Sequence, residues 1–150
     1  MLVFVVLLAV PSRAEEHSGH DHRLKGRIIR ALAVEPGNAA HVLVGQKANQ
    51  AGSGLVFKSL DGARNWRTQN GNAPLTPGAT DVQAVAAVSA NLLLAGTWKH
   101  GLYVSRDGGG SFSRLAGFPS SDIRDLQVAG GKIYAATLRH GILVSTDLAK

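Results

Sequence analysis

An internal repeat is the sequence feature that most constrains how this chain can fold. Segments 91–107 and 132–147 share a threonine, a basic residue, a histidine and a glycine in the same order, followed by a Val-Ser pair. A looser copy of the same pattern runs over 41–61. The aspartates that close the three copies lie 46 and then 40 residues apart. That spacing is typical of folds that stack one four-stranded β-sheet per repeat.

Each copy is preceded by a short apolar segment with its own shared pattern. The apolar residues fall at a step of three and then a step of two, in the order Ile29, Leu32, Val34; Val82, Val85, Ala87; and Ile123, Leu126, Val128. A step of three followed by alternation predicts a strand entered through a bulge. No stretch sustains a helical period with caps. The sequence therefore predicts an all-β fold.

Each repeat is predicted to be one antiparallel unit in the order strand, turn, strand, loop, strand, turn, strand. The units span 27–69, 81–115 and 122–147, and the third one ends at its last turn, without a fourth strand. The turn that closes each unit has a distinctive chemistry. An aspartate can accept hydrogen bonds from N–H groups of its own turn, glycine supplies a positive φ, and the following aromatic side chain can cover these bonds.

The closing turns resemble the Asp-box, the Ser-x-Asp-x-Gly-x-x-Trp hairpin of bacterial neuraminidase repeats. The resemblance covers roughly 27–147 and implies an incomplete β-propeller of about three blades within 27–150. By this motif the chain is similar to a superfamily that includes sialidases, sortilin-type receptors, secreted glycan-degrading propellers and photosystem II assembly factors. Two positions depart from the pattern. The first turn has Ala63 in place of the glycine, and the second turn has Phe112 in place of the tryptophan. Since the box is structural in this superfamily, structural roles are implied for Ser59, Asp61, Trp66, Ser105, Asp107, Gly109, Phe112, Ser145 and Asp147.

The loops between the second and third strands form the candidate ligand-binding face. Propeller geometry places these loops beside the entries of the innermost strands, opposite the Asp-box turns. The face then carries cationic, imidazole, aromatic and carboxylate side chains, namely Asp81, Trp98, Lys99, His100, Asp122, Arg139 and His140. Such a set can hold an acidic sugar or a peptide carboxylate. The alternative is that the two aspartates only bind backbone at strand starts.

Catalysis finds little support in these residues. The expected function is an exported, non-catalytic propeller module for protein or glycan recognition or assembly, with no catalytic residues assigned. The alternative is part of a secreted, sialidase-like glycoside hydrolase. The resemblance would then require an Arg-Ile-Pro motif, whereas Arg27-Ile-Ile-Arg30 lacks the proline. Hydrolysis by paired carboxylates needs two acids across one ligand, and only Asp81 and Asp122 qualify.

The N-terminal residues indicate export. An apolar run, Leu2–Val10, precedes small residues at Ser12 and Ala14, which is typical of a signal peptide cleaved after Ala14. The run is too short for a membrane span, which needs roughly 20 residues. The alternative is a buried N-terminal strand. We expect a signal peptide over 1–14, a His-rich flexible leader over 15–26, and a secreted or periplasmic location.

Cleavage there would create a possible metal site. A free amine followed by Glu15, Glu16 and His17 can wrap Cu(II) or Ni(II) in a square plane of nitrogens. The alternative is a polar leader whose histidines bind nothing, and no other cofactor is expected. The chain has no cysteine, so disulfides and thiolate metal sites are excluded.

The charge of the chain and its number of repeats limit the classes of partner that can be expected. Cleavage removes Arg13, so 15 of the 16 Lys and Arg residues remain against 10 Asp and Glu, scattered without the runs of a nucleic-acid groove. A protein or glycan partner is therefore expected, and no nucleic acid. Closed propellers have about 4–8 blades. The chain is thus either part of a longer propeller or a homo-oligomer that closes a ring, with residues 21–26 or a partner lending the last strand.

Overall fold

The computed structural model describes residues 22–48, 55–72, 75 and 81–147. These residues form eleven strands in three antiparallel sheets, so the all-β prediction is confirmed. The strands are β1 (Ile29–Glu35), β2 (Asn38–Gln46), β3 (Val56–Ser59), β4 (Arg67–Thr68), β5 (Val82–Ala87), β6 (Leu93–Thr97), β7 (Leu102–Ser105), β8 (Ser113–Arg114), β9 (Ile123–Ala129), β10 (Lys132–Thr137) and β11 (Ile142–Ser145). The helical content described is two 3₁₀ turns, His22–Leu24 and Asn70–Asn72.

Each sheet is one blade, with its strands in chain order from the inside outwards. Blade one contains β1–β4, blade two β5–β8, and blade three β9–β11. The predicted irregularity at the entry of each inner strand is confirmed. The pairing of the first two strands shifts register between Ile29 and Ala31 in blade one, and between Val82 and Ala84 in blade two. In blade three the shift falls opposite Ala136 and Thr137.

Two apolar cores join the three blades. The core between blades one and two contains Leu43 and Val56 from one side, and Val85, Leu93 and Tyr103 from the other. In the core between blades two and three, side chains of blade two pack against side chains of blade three. Blade two contributes Ala84, Ala86, Leu94, Leu102 and Val104, and blade three contributes Ile123, Leu126, Ile133 and Ala135. Because the two sides of a strand face opposite directions, blade two contributes one side to each core.

A glycine in the second strand of a blade receives a branched side chain from the next blade. A Cβ placed on Gly45 would lie 2.6 Å from Cγ1 of Val82, and one placed on Gly96 would lie 2.6 Å from Cβ of Ile123. Val82 and Ile123 are the first residues of β5 and β9, and both are fully buried. We call these contacts the glycine sockets. At the matching position of blade three the residue is Ala136.

A buried lysine adds a polar tie between blades one and two. The Lys58 side chain is 9 % exposed, and its Nζ donates to the backbone oxygens of Ala90 and Gly108 at 3.2 and 3.3 Å. Both acceptors lie in turns of blade two, one before β6 and one after β7. The ammonium group is thus satisfied by carbonyl oxygens where a buried cation would otherwise be costly.

The outward face of blade one is partly covered by the segment that precedes it. Leu24 packs against a cluster formed by Val42, Val44, Phe57 and Trp66. The suggestion that residues 21–26 lend a strand to the last blade is therefore wrong for the described residues of that segment, which form a 3₁₀ turn on blade one instead. Large apolar side chains remain exposed on the first and last blades, among them Leu32, Val34, Ile142 and Val144.

Across the described residues, no helix is long and apolar enough to cross a membrane. The predicted signal peptide lies outside these residues, as does most of the leader.

Candidate functional site

The closing turns of blades one and two, which the sequence predicts to be Asp-boxes, are held by the same hydrogen bonds. In blade one, Ser59 Oγ donates to Asp61 Oδ1 at 2.8 Å and accepts from the N–H of Ala63 at 2.9 Å. The N–H of Asn65 donates to Asp61 Oδ1 at 2.9 Å. Because the serine and aspartate side chains form hydrogen bonds within the turn itself, their role is structural.

The second turn repeats this network with other side chains. Ser105 Oγ donates to Asp107 Oδ1 at 2.7 Å and accepts from the N–H of Gly109 at 2.8 Å. Ser111 donates to the same carboxylate from both its N–H and its hydroxyl. In the third, incomplete copy Ser145 Oγ donates to Asp147 Oδ1 at 3.3 Å.

These hydrogen bonds favour the ionised carboxylates. Donation from the side chain and backbone of Asn65, and then from Ser59, lowers the pKa of Asp61 to about 2 from an ordinary 3.8. Donation from Ser111 and then Ser105 holds the pKa of Asp107 well below its ordinary value. Both aspartates are therefore anions at neutral pH and unsuited to donate a proton.

The opposite face is built on tight loops between the second and third strands of blades two and three. The N–H and Oγ1 of Thr97 both donate to the carbonyl oxygen of Gly101, at 3.1 and 2.7 Å. Thr137 makes the same pair of bonds to Gly141, at 2.9 Å each. The threonines and glycines that the repeat shares thus close the loops, and the three residues between them include the predicted ligand-binding ones.

Asp122 joins these two loops. Its Oδ1 accepts the N–H of Lys99 from blade two at 3.0 Å, and its carbonyl oxygen accepts the N–H of Leu138 from blade three at 3.2 Å. Its other carboxylate oxygen lies 3.4 Å from the hydroxyl of Ser121. The aspartate therefore brings the Trp98-Lys99-His100 and Leu138-Arg139-His140 loops to one place on the molecule.

Asp81 has the same role between blades one and two. Its Oδ1 accepts the N–H of Ala48 from blade one at 2.8 Å, and its carbonyl oxygen accepts the N–H of Trp98 at 3.0 Å. Its Oδ2 also accepts a hydrogen bond from Gln83. Both aspartates thus bind backbone of the preceding blade, an inter-blade role more specific than the strand-start bonding that the sequence allowed.

A cationic and aromatic cluster stands beside these aspartates. The guanidinium carbon of Arg124 lies 4.2 Å from the centre of the Trp98 ring, and Lys99 Nζ lies 6.0 Å from it. Trp98 is half-buried, and the Lys99 and Arg124 side chains are exposed. Arg139 and His140 are exposed on the neighbouring loop, and His100 is half-buried. We call this set, with Trp98, Lys99 and Arg124 at its centre, the loop-face cluster.

Arg124 was not among the residues that the sequence predicted. It occupies the irregular entry of β9, between Ile123 and Leu126, where alternation of the strand breaks down. Its contact with Trp98 crosses from blade three to blade two, so it depends on how the blades pack. The signal that could have found it is its place two residues after Asp122.

The predicted metal ligands Glu15, Glu16 and His17 lie outside the described residues. In the portion of the chain that the structure describes, no three His, Cys, Asp or Glu side chains are grouped as a metal site. His41 instead contacts a single carboxylate, with Nδ1 at 2.6 Å from Oε2 of Glu35 across the first turn of blade one.

Comparison with known proteins identifies the architecture. No protein-family model matches the chain, and no curated protein matches it. Among solved structures, a GH74 xyloglucanase from Xanthomonas campestris is similar at 21 % identity and a TM-score of 0.62, covering 86 % of this chain and 23 % of the enzyme. A YCF48 protein bound to a D1 peptide is similar at 17 % identity and a TM-score of 0.59, covering 81 % and 38 % of the two chains.

A third similar structure is the GH74 enzyme of Niastella koreensis, at 20 % identity and a TM-score of 0.59, covering 79 % of this chain and 21 % of that one. The chain thus spans less than two fifths of the length of each of these proteins. At such identities the likeness concerns the fold alone. The prediction of an all-β chain of about three propeller blades is confirmed.

Proposed function

We propose that this chain is an exported, non-catalytic β-propeller module that binds an acidic group of a protein or glycan at its loop face. The loop-face cluster carries the proposal. It combines an aromatic ring flanked by two cations with the exposed Arg139 on a second loop. Arginine and lysine suit carboxylate ligands, and a half-buried ring offers a stacking surface for a sugar or a side chain.

The hydrogen bonds made by the two aspartates on this face also support a binding function over hydrolysis. Glycoside hydrolysis commonly uses one carboxyl group as an acid and a second one as a base or nucleophile. The Asp81 and Asp122 carboxylates each accept a backbone N–H from the preceding blade. Moving either one onto a substrate would break a tie between blades, so both are better suited to structure than to chemistry.

The partner is proposed to be a protein, with an acidic glycan as the other form of the same chemistry. The YCF48 structure, which shares this architecture, is bound to a peptide. Free carboxylates of a peptide C-terminus and of a uronic acid present the same charged group to Lys99 and Arg139. The proposed location, secreted or periplasmic, follows from the N-terminal sequence.

Calorimetric titration with matched probes tests the proposal. The probes are a short peptide with a free C-terminal carboxylate, its C-terminal amide, an oligogalacturonate and a neutral xyloglucan oligosaccharide. We expect the acidic members to bind more tightly than the neutral ones. The double variant Lys99→Gln/Arg139→Gln should weaken that binding about tenfold, since two charge-assisted contacts are lost.

Lys132→Gln is the matched control. Lys132 is exposed at the start of β10, at the opposite end of that strand from the loop face. Its effect is compared with that of the single variant Lys99→Gln, because each of these two substitutions removes one positive charge and Lys132→Gln leaves the cluster untouched. Equal weakening by this variant would mean that binding follows net charge only, and the proposed site would then be wrong.

A second function is favoured by two of the similar structures, which are GH74 enzymes. The chain would then be part of a secreted glycoside hydrolase. The discriminating measurement is release of reducing ends from xyloglucan by wild-type protein and by Asp81→Asn and Asp122→Asn. Hydrolysis that disappears in either variant without unfolding would establish the enzyme and displace the binding module.

A further inference from the structure

The two junctions between blades are built alike at the loop face. In each, the aspartate before the inner strand of one blade accepts an N–H from a loop of the preceding blade. At the first junction Asp81 accepts from Ala48, and at the second junction Asp122 accepts from Lys99. Ala48 and Lys99 therefore occupy equivalent positions, and the two junctions can be compared residue by residue.

The two junctions differ at two equivalent positions. One directly precedes the residue that the aspartate holds, and it is Lys47 in blade one and Trp98 in blade two. The other is the second residue of the inner strand, which is Gln83 in blade two and Arg124 in blade three. The second junction thus combines an aromatic ring with a guanidinium group, where the first has a lysine and a glutamine. This pair is therefore not a product of the repeat.

Arg124 is held in place while its hydrogen-bond donors stay unused. Its guanidinium carbon lies over the Trp98 ring, 4.2 Å from the ring centre. Within the described residues the guanidinium forms no hydrogen bond and no ion pair, and the side chain is exposed. A guanidinium that stacks on a ring keeps its N–H groups, which lie in its own plane, free for a planar acceptor. The contact therefore orders a long side chain in advance, which reduces the entropy lost on binding.

A second cation is held close to the same ring. Nζ of Lys99 lies 6.0 Å from the ring centre, and it also forms no hydrogen bond or ion pair in the part of the chain that the structure describes. The backbone of Lys99 has a φ of 71°, a left-handed conformation that is costly for a residue with a Cβ. Arg139, at the equivalent position of the next loop, has no such positive φ. Backbone strain of this kind clusters at ligand-binding sites.

The two cations and the ring together indicate the chemistry of a ligand. A carboxylate has two coplanar oxygens that match the guanidinium fork, and a nearby ammonium group adds a further contact. Arg124 covers one face of the Trp98 ring, so that face is not open for stacking of a sugar. A peptide carboxylate, which requires no ring face, therefore fits this place better than a uronic acid.

We infer that Arg124 binds the carboxylate of a peptide ligand directly and determines the specificity of the site, and that Trp98 is a positioning residue that acts through Arg124. The carboxylate lies between Arg124 and Lys99, at the junction of blades two and three. This inference rests on the proposed function, which places an acidic ligand on the loop face.

An arginine-to-lysine substitution tests the role of the guanidinium fork. The probe is N-acetylated trialanine with a free C-terminal carboxylate, titrated by calorimetry into the full-length protein beside its C-terminal amide. Arg124→Lys should weaken binding of the acid about tenfold although the charge is kept, because the planar fork and its stacking are lost. Arg67→Lys changes an exposed arginine of β4 in blade one and is the matched control, which should bind as wild type does.

The positioning role of Trp98 requires a double-mutant cycle. Trp98→Leu should weaken binding of the acid about fivefold, and Trp98→Phe should weaken it less, because a phenyl ring still offers a face to the guanidinium. In the Arg124→Gln background Trp98→Leu should have little further effect. A tryptophan that only stabilises its loop would weaken binding equally in both backgrounds.

The outcomes separate this inference from the proposed function. Undiminished binding by Arg124→Lys, or an effect of Trp98→Leu that does not depend on Arg124, would overturn the inference and leave an acidic ligand on the loop face. Tighter binding of an oligogalacturonate than of the peptide acid would overturn the assignment to a peptide. A wild-type protein that binds neither acid would overturn the proposed function and this inference together.

Discussion

The backbone N–H of Lys99 donates a 3.0 Å hydrogen bond to the carboxylate of Asp122, a residue of the next blade. The bond fixes the loop that carries Trp98 and Lys99 against the strand that carries Arg124. The loop-face cluster is therefore assembled by the contact between blades, since neither blade contains it alone.

Removal of this carboxylate should loosen one loop selectively. In Asp122→Ala the amide proton of Lys99 should exchange with solvent about tenfold faster or more, while that of Ala48, held by Asp81, should be unaffected. Asp122→Asn keeps an acceptor oxygen and should restore part of the protection. Amide exchange measured by NMR checks this, and unchanged exchange at Lys99 would contradict the inter-blade role.

The aspartates of the two closing turns, Asp61 and Asp107, should make stability fall in acid. Their pKa values are lowered in the folded protein, so protonation favours the unfolded chain. For Asp61 the stabilisation is complete above the ordinary pKa of 3.8 and is lost as the pH falls through about 2. Urea unfolding followed between about pH 5 and about pH 2 should show a steeper decline for wild type than for Asp61→Asn/Asp107→Asn. Asp125→Asn, an exposed aspartate outside both turns, is the control.

Ala63 should be a site of relievable strain. It stands at the glycine position of the motif that the first closing turn resembles, and it has a φ of 70°, a left-handed conformation that disfavours residues with a Cβ. Ala63→Gly should raise the free energy of unfolding by about 0.5–1 kcal/mol. Ala39→Gly, in an exposed position of β2, should lower it by about the same amount. Chemical denaturation compares them, and a loss of stability in Ala63→Gly would count against the strain.

The glycine socket between blades two and three should leave no space for an added methyl group at Gly96. Gly96→Ala places a Cβ against Ile123 and should cost about 1–3 kcal/mol of unfolding free energy. In the Ile123→Ala background the same substitution should cost much less, which a double-mutant cycle measures. Additive effects would show that the two residues do not interact. Ala136→Gly, at the matching position of blade three, should show only the small cost of a glycine in a strand.

Export can be tested on the chain expressed in a bacterial host. The mature protein recovered outside the cytoplasm should begin at Glu15, because cleavage is expected after Ala14. Intact-mass measurement and N-terminal sequencing identify the first residue. A full-length chain found only in the cytoplasm would contradict both the signal peptide and the proposed location.

Local patterns in the sequence were sufficient to predict the strands of the blades. The step of three at Ile29, Val82 and Ile123 predicted bulged inner strands, and the repeat spacing predicted which stretch of the chain forms each sheet. These features depend on residues close in the chain, where side-chain alternation and turn chemistry act directly.

The site was less predictable because it depends on contacts between blades. The sequence marked Asp81 and Asp122 but left open whether they bind a ligand or backbone, since the N–H groups they accept lie 33 and 23 residues away. Arg124 could not be assigned from alternation, because the strand is irregular where it begins.

The glycine sockets restrict the order in which the blades can follow one another. Val82 requires Gly45 ahead of it and Ile123 requires Gly96, whereas Ala136 already fills the corresponding space in blade three. A rearranged gene that placed blade two after blade three would press Val82 onto the methyl group of Ala136. Although the three repeats look interchangeable when aligned, a single added methyl group therefore disfavours any arrangement in which blade three precedes one of the other two.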